Sequence, residues 1–347
     1  MSTLNVGIVI ADIISSTIVF AVPLLLVAMG GMFSERSGII NIALEGIMII
    51  GALMGCLMMR WLDPAVATGH LGSQFAMLIA SLFAGVCGMA FAVLLAFASI
   101  NLKADQTIGG TALNMLAPAL AIVLTWVVQG QGQTTILIPT WSRITQSTLG
   151  LAAKENFLHT LLFKNMYLTT FLTVVLFAAA VVIMYKTKFG LRLRSCGEHP
   201  QAAASVGINV FKMRYAGVLI SGFLGGIGGL AFTLAAGSGF QSSVAGYGFL
   251  ALAVMIFGNW KPWTILGASL FFALFKVIGA YATTLQNLGP FFNVIFGWPA
   301  KIGIKEGTST YLWPMLPYIV TMILLVLTSK KSRAPKAEGI PYDKGMR

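Results

Sequence analysis

The sequence predicts an all-α fold, a polytopic integral membrane protein of about nine transmembrane helices (eight to ten), and three observations predict it. Of 347 residues, 57% are apolar and only 9% charged, where a soluble domain carries about 25% charged residues. The mean hydropathy is +0.88, which places most of the chain in lipid. The apolar residues form continuous runs rich in Ala, Leu, Ile and Gly, without the strict alternation over about ten residues that a barrel strand requires. An ordinary soluble enzyme is excluded.

Taken in order, the stretches 8–30, 39–59, 74–99, 107–128, 166–185, 212–236, 247–258, 263–285 and 311–328 could each cross a core of about 30 Å. The first lacks a positive n-region and is long enough to stay as an anchor rather than be cleaved. The seventh is short. The expected division is a transmembrane domain over 1–329 and a basic cytoplasmic tail over 330–347. Counting back from that tail puts fifteen Lys+Arg inside: Arg36, Lys103, six from Lys186 to Arg214, Lys261 and six in the tail. Six fall outside (Arg60, Arg143, Lys154, Lys164, Lys301 and Lys305). This bias fits the positive-inside rule with the N-terminus outside. The net charge of +12 therefore reads as orientation and contact with anionic membrane lipid, not nucleic-acid binding.

Two connections are long. Residues 129–165 form a polar external loop, either a docking site for a solute-delivering partner or a solvated connector. Within 186–211, Pro200 follows Glu198 and His199 as a first helical residue and Gly207 follows Val206 as a stop. That encodes a helix of about two turns, whose small residues Ala202, Ala203 and Ala204 could enter a groove on another protein. A simple connecting loop is the alternative.

Enzyme chemistry finds no support. No Lys follows a Gly, so there is no Walker A loop. His70, His159 and His199 are scattered, no G-x-S-x-G occurs, and Cys56, Cys87 and Cys196 have no metal or disulfide spacing. No metal, cofactor or catalytic residue is expected. Charged groups inside spans are functional candidates by default. Glu45 lies in the second span with Asn41 one turn earlier. Asn114 in the fourth is preceded by Gln106 and Thr107, and Phe240, Gln241 and Tyr247 flank an outward turn. These are candidate solute-pathway residues, or else interhelical hydrogen bonds that hold the bundle. Lys276 could neutralise Glu45, and Asp12 reads as interfacial. Gly222/Gly226 and Gly225/Gly229 have the spacing for close helix packing.

The stretches GGMFSERSGIINIALEGIMIIGA (Gly30–Ala52), KADQTIGGTALN (Lys103–Asn114), Gly190–Gly229, YGFLALAVMIFGNWKP (Tyr247–Pro262) and APKAEGIPYDK (Ala334–Lys344) resemble the membrane permease subunits of nucleoside importers of the ATP-binding cassette (ABC) type. Those sit within the simple-sugar and branched-chain amino-acid permease group. The resemblance implies an inner-membrane subunit that is not itself an enzyme. It implies a homologous permease as heterodimer partner, a twin-cassette ATPase that holds ATP and Mg, and a lipid-anchored binding protein. It assigns ATPase coupling to Glu198, His199, Pro200, Gln201, Ala202, Ala203, Ser205 and Gly207. An ion- or proton-coupled secondary carrier, with Glu45 as coupling acid, is the alternative reading.

Overall fold

The computed structural model describes residues 6–144, 166–286, 313–328 and 333–343. Most of the expected loop 129–165, the first two residues of the stretch 311–328, and part of the tail lie outside them. In chain order the helices are α1 (Val6–Arg36), α2 (Leu44–Ala67), α3 (Ser73–Ala96), α4 (Gln106–Gln129), α5 (Leu168–Lys186), α6 (Lys188–Glu198), α7 (Pro200–Ser205), α8 (Val210–Ala236), α9 (Tyr247–Phe257), α10 (Pro262–Ala280), α11 (Ala282–Gln286) and α12 (Leu316–Thr328). Among the described residues seven are long and apolar enough to cross a membrane, namely α1 to α5, α8 and α10. Helix α9 has 11 residues and α12 has 13. The only strands among the described residues are β1 (Arg143–Ile144) and β2 (Met166–Tyr167), paired antiparallel with Arg143 opposite Tyr167.

The architecture is the all-α bundle that composition predicts, with two local differences. The eighth apolar stretch is divided at Tyr281, where α10 closes through a Tyr281 N–H to Val277 carbonyl bond and α11 follows. The connection after α5 holds two short helices. Its first, α6, starts under a Thr187 cap, whose hydroxyl accepts from the Gly190 N–H at 3.2 Å. A side chain on Gly190 would run into the Ile183 and Met184 carbonyls, so only glycine permits this corner. A polar helix of this kind escapes a search for apolar runs.

Helix α8 is the axis of the bundle and packs along α1, α2 and α3. Its glycine run makes that possible. A Cβ on Gly226 would strike the Ala84 carbonyl of α3, one on Gly229 the Met48 carbonyl of α2, and one on Gly51 would meet Gly226 itself. Gly222 lies against Ala92 and Gly88 of α3, and a Cβ on Gly225 would stand 2.9 Å from Ile47. With no Cβ between them, backbones approach closely and dispersion contacts replace the hydrophobic drive that lipid removes. Helices α4 and α5 are peripheral: 22% and 28% of their most apolar stretches are buried, against 78% for α2 and α8. Met115, Val127, Val174 and Val175 face outward, as a lipid-exposed surface should.

Gly226→Ala should therefore lower stability in detergent by about 1–3 kcal/mol, the usual cost of overpacking. Gly267→Ala, where the added methyl meets nothing within 4 Å, should leave it unchanged or raise it. Thermal unfolding of the two purified variants checks the difference, and equal midpoints would remove the close-packed glycine axis from the account.

Candidate functional site

Two polar regions stand out, one inside the bundle and one at the end that carries residues 333–343, here the tail end. The inner region exists because the chain leaves helical geometry between α1 and α2 and exposes main-chain groups. Two side chains of α4 take them up. The Ile40 N–H donates to the Gln106 Oε1 at 2.7 Å. The Asn114 amide donates to the Ile42 carbonyl and accepts from the Gly46 N–H, both at 2.8 Å. Asp105 caps α4, accepting from the Thr107 and Ile108 N–H groups, while the Thr107 side chain is exposed. Asn41, fully buried, donates to the Ser221 hydroxyl of α8 at 2.8 Å.

Glu45 reaches from the first turn of α2 to the start of α9. Its Oε1 accepts from the Gly246 N–H at 2.9 Å and its Oε2 from the Gly248 N–H at 2.6 Å. The carboxylate thus sits on the first turn of a short helix, where unpaired N–H groups and the helix dipole favour negative charge. Gly248 is required, since a Cβ there would collide with the Glu45 backbone. Tyr247, fully buried, packs its ring 4.4 Å from Phe232 and 6.5 Å from Phe20, and its hydroxyl has no partner among the described residues. The expected Lys276–Glu45 pair is not formed. Lys276 stands over the Tyr247 ring, 5.8 Å from its centroid, because helix-end N–H groups already hold the carboxylate. Phe240 is buried and exchanges two main-chain bonds with Ile136, both 2.9 Å, while Gln241 is exposed.

The tail-end region is built on Ser34–Gly38. Ser34 donates to the Ile39 carbonyl at 2.8 Å and Ser37 to the Ser34 carbonyl at 2.6 Å, which closes α1 into a turn with Gly38 at φ +99°. Glu35 accepts from the Trp260 indole at 2.6 Å. Arg36 donates to the Trp260 carbonyl at 3.2 Å and lies 3.7 Å from Glu198. Asn259 and Trp260 have φ of 49° and 53°, a left-handed geometry that is unfavourable for side chains with a Cβ. The Glu35 and Arg36 bonds hold it in place. Helix α7 presents Gln201, Ala202 and Ser205 outward, with His199 and Gly207 also exposed at its flanks. Pro200 and Ala203 turn inward, and Ala203 packs with Cys196, Val210 and Tyr342. The small-residue face is thus divided, because a two-turn helix lying on the bundle must bury one side.

Residues 333–343 form a strap across this end. The Arg333 N–H donates to Asn259 at 3.0 Å, the Ala337 N–H to the Gly197 carbonyl at 2.9 Å, and Arg214 to the Ile340 carbonyl at 3.0 Å. Tyr342 packs edge-on against Phe211 at 5.4 Å and Asp343 pairs with Lys103 at 2.7 Å. Burial of the Glu338 carboxyl pushes its pKa up to about 7, against the pull of Glu35 and Arg36.

Residues 13–328 match the protein-family model described as "Branched-chain amino acid transport system / permease component". The chain belongs to that permease family. It is 39% identical to the "Nucleoside ABC transporter permease protein NupC" of Lactococcus lactis subsp. cremoris, over 98% of this chain and 99% of that protein. It is 37% identical to the "Guanosine ABC transporter permease protein NupQ" of Bacillus subtilis, over 98% of each. Identity is 29% to the "Putative glucose ABC transporter permease protein TsgC13" of Haloferax volcanii, over 91% of each. No solved structure matches the chain.

As a permease component the chain is a multi-pass transport protein, and its polar residues divide by what they hold. Among the pathway candidates, Asn41, Glu45, Gln106 and Asn114 meet at the lead-in to α2. Tyr247 joins them through α9, while Thr107, Phe240 and Gln241 stand apart. Sequence reasoning missed Glu35, Trp260, Ser221, Arg214 and Glu338. Glu35 was inside a conspicuous polar turn, but nothing in sequence marked its partner 225 positions away.

Glu45→Gln keeps shape but offers one acceptor oxygen where two N–H groups need one each. The unfolding free energy should fall by about 1–3 kcal/mol, the cost of a buried polar group left unpaired, and an unchanged thermal midpoint would refute the helix-cap role. For the strap, the neutral Glu338 carboxyl is favoured in the docked state. Stability should then fall as pH rises from the ordinary carboxylate range through about 7. Glu338→Gln should flatten the thermal midpoint between about pH 5 and 8, and a profile parallel to the parent's would rule this linkage out.

Proposed function

We propose that this permease component forms, with a homologous permease subunit, the transmembrane pathway of an ABC importer for nucleosides in a bacterial inner membrane. Full-length similarity to two permeases whose names specify nucleoside and guanosine transport carries the reading. A separate twin-cassette ATPase binds ATP and Mg and supplies the energy, and a lipid-anchored extracytoplasmic protein delivers the solute. The tail end faces the cytoplasm and the N-terminus the outside.

In this mechanism the inner region shapes the pathway. Gln106, Asn114 and Glu45 fix where α2 and α9 begin, with the Gln106 Oε1, both ends of the Asn114 amide and both Glu45 oxygens committed to main chain. A helix that starts within the bundle is a common way for transporters to place polar main chain at a solute path. Asn41 and Tyr247 lie beside it, while Thr107, Phe240 and Gln241 stand apart and are kept as pathway residues on the sequence reading alone. Weak contacts suffice here, since selection belongs to the binding protein and tight binding would retain the solute. The ATPase takes hold of the connection Glu198–Gly207, with Gln201, Ala202 and Ser205 as the outward contacts. With both carboxylate oxygens of Glu45 bound to N–H groups, the acid has a structural task and proton coupling is disfavoured.

Reconstitution with the ATPase and binding protein should give nucleoside uptake that requires ATP and ignores an imposed proton gradient. Gradient-driven uptake without ATP, lost in Glu45→Gln, would replace the importer by the secondary carrier. Ala202→Trp places bulk on the outward face of α7. It should cut nucleoside-stimulated ATP hydrolysis by roughly five- to tenfold, the size of an ordinary coupling free energy, while insertion is retained. Full stimulation in that variant would reduce α7 to a connector.

A further inference from the structure

The strap 333–343 is more than a trailing segment. Its anchors lie in five separate parts of the fold: Asn259 after α9, Gly197 in α6, Gly38 between α1 and α2, Phe211 and Arg214 in α8, and Lys103 before α4. It therefore crosses the middle of the tail end, over the end of α1, which is enclosed by α5, α8, α9 and α10. Open grooves flank it. One, of ≈ 690 Å³, is lined by Arg36, Lys261, Arg333 and Lys336, with Glu198 as the only acid among its described lining residues. The other, of ≈ 590 Å³, lies beside α7 and is walled by Gln201, Ser205, Tyr342 and Asp343.

We propose that the strap completes the surface that receives the cytoplasmic ATPase, taking an acidic segment of that partner into the groove formed by Arg36, Lys261, Arg333 and Lys336. The proposal rests on the importer reading. Charge selects the occupant: four cations face one carboxylate, and that carboxylate is already within 3.7 Å of Arg36. Beyond the groove, Lys186, Lys188, Arg192 and Lys212 are also exposed at this end, whereas Asp343 is paired with Lys103. Position favours a protein over a lipid headgroup, since the groove is walled by Arg36 at the end of α1, a helix packed against α5, α8, α9 and α10. Continuity supports the same partner. Tyr342 belongs to the strap yet packs under Ala203 of α7, so one rigid support carries both the helix proposed for coupling and the wall of the basic groove.

The test uses the intact complex. Arg333→Glu with Lys336→Glu changes two exposed side chains and leaves the main-chain anchors of the strap in place. Titration of the purified ATPase onto this permease in nanodiscs should show binding weakened roughly tenfold, as expected when like charges are juxtaposed, and binding of the parent should weaken with added salt. Affinity within about twofold of the parent overturns the proposal. So does a variant that binds normally but loses dependence on anionic lipid, which assigns the groove to headgroups. Lys336→Cys carrying a benzophenone keeps the question open to a second measurement, and it should photocrosslink the ATPase, whereas a photoproduct with lipid alone again overturns the proposal. Failure of the parent chain to bind any ATPase is a different result and removes the importer reading itself.

Discussion

The inner polar region of this bundle answers to one constraint, that a main-chain N–H or C=O inside the hydrocarbon layer has no water to turn to. Regular helix satisfies it automatically. Among the described residues the chain leaves regular helix between α1 and α2 and again ahead of α9, and at both places side chains of distant elements supply missing partners. Gln106 and Asn114 serve the first break, and Glu45 serves the second from a position next to the first. The two breaks are thereby locked to each other. The irregular backbone is affordable only because α4, otherwise a peripheral helix, brings two amides to it.

The fold was largely legible in the sequence, since apolar runs long enough to span are dictated by the thickness of the bilayer and need no knowledge of neighbours. The short stretch 247–258 and the two-turn helix after Pro200 were readable from length and from a proline and glycine in the right places. What sequence withheld was partnership. Asn41, Glu45, Gln106 and Asn114 could be picked out as polar groups in apolar surroundings, yet composition has no means of saying that a carboxylate will meet two amide N–H groups 201 and 203 residues away rather than Lys276. Helix α6 was missed because its polar surface resembles a loop, and the inward turn of Ala203 because three adjacent alanines carry no sign of which faces Tyr342.

Residues 34–46 tie the two polar regions together. Within little more than three helical turns of sequence, Glu35 and Arg36 engage Trp260, Asn41 engages α8, and Glu45 engages α9. Trp260 follows the end of α9 and Gly246 precedes its start, so the short helix is held at both ends by one segment. A displacement applied at the tail end, through α7 or the strap, reaches the Arg36–Glu198 contact first and has a continuous covalent route from there to the start of α9.

The glycine axis has a mechanical consequence. Where α8 meets α2 and α3, backbone lies on backbone around Gly51, Gly88 and Gly226, with no layer of side chains to act as bearing or lubricant. Sliding by even one residue would drive a Cβ into a carbonyl. These three helices must travel as a stiff keel, and the pliancy needed to open a passage alternately to each side has to be sought in the helices hung around it.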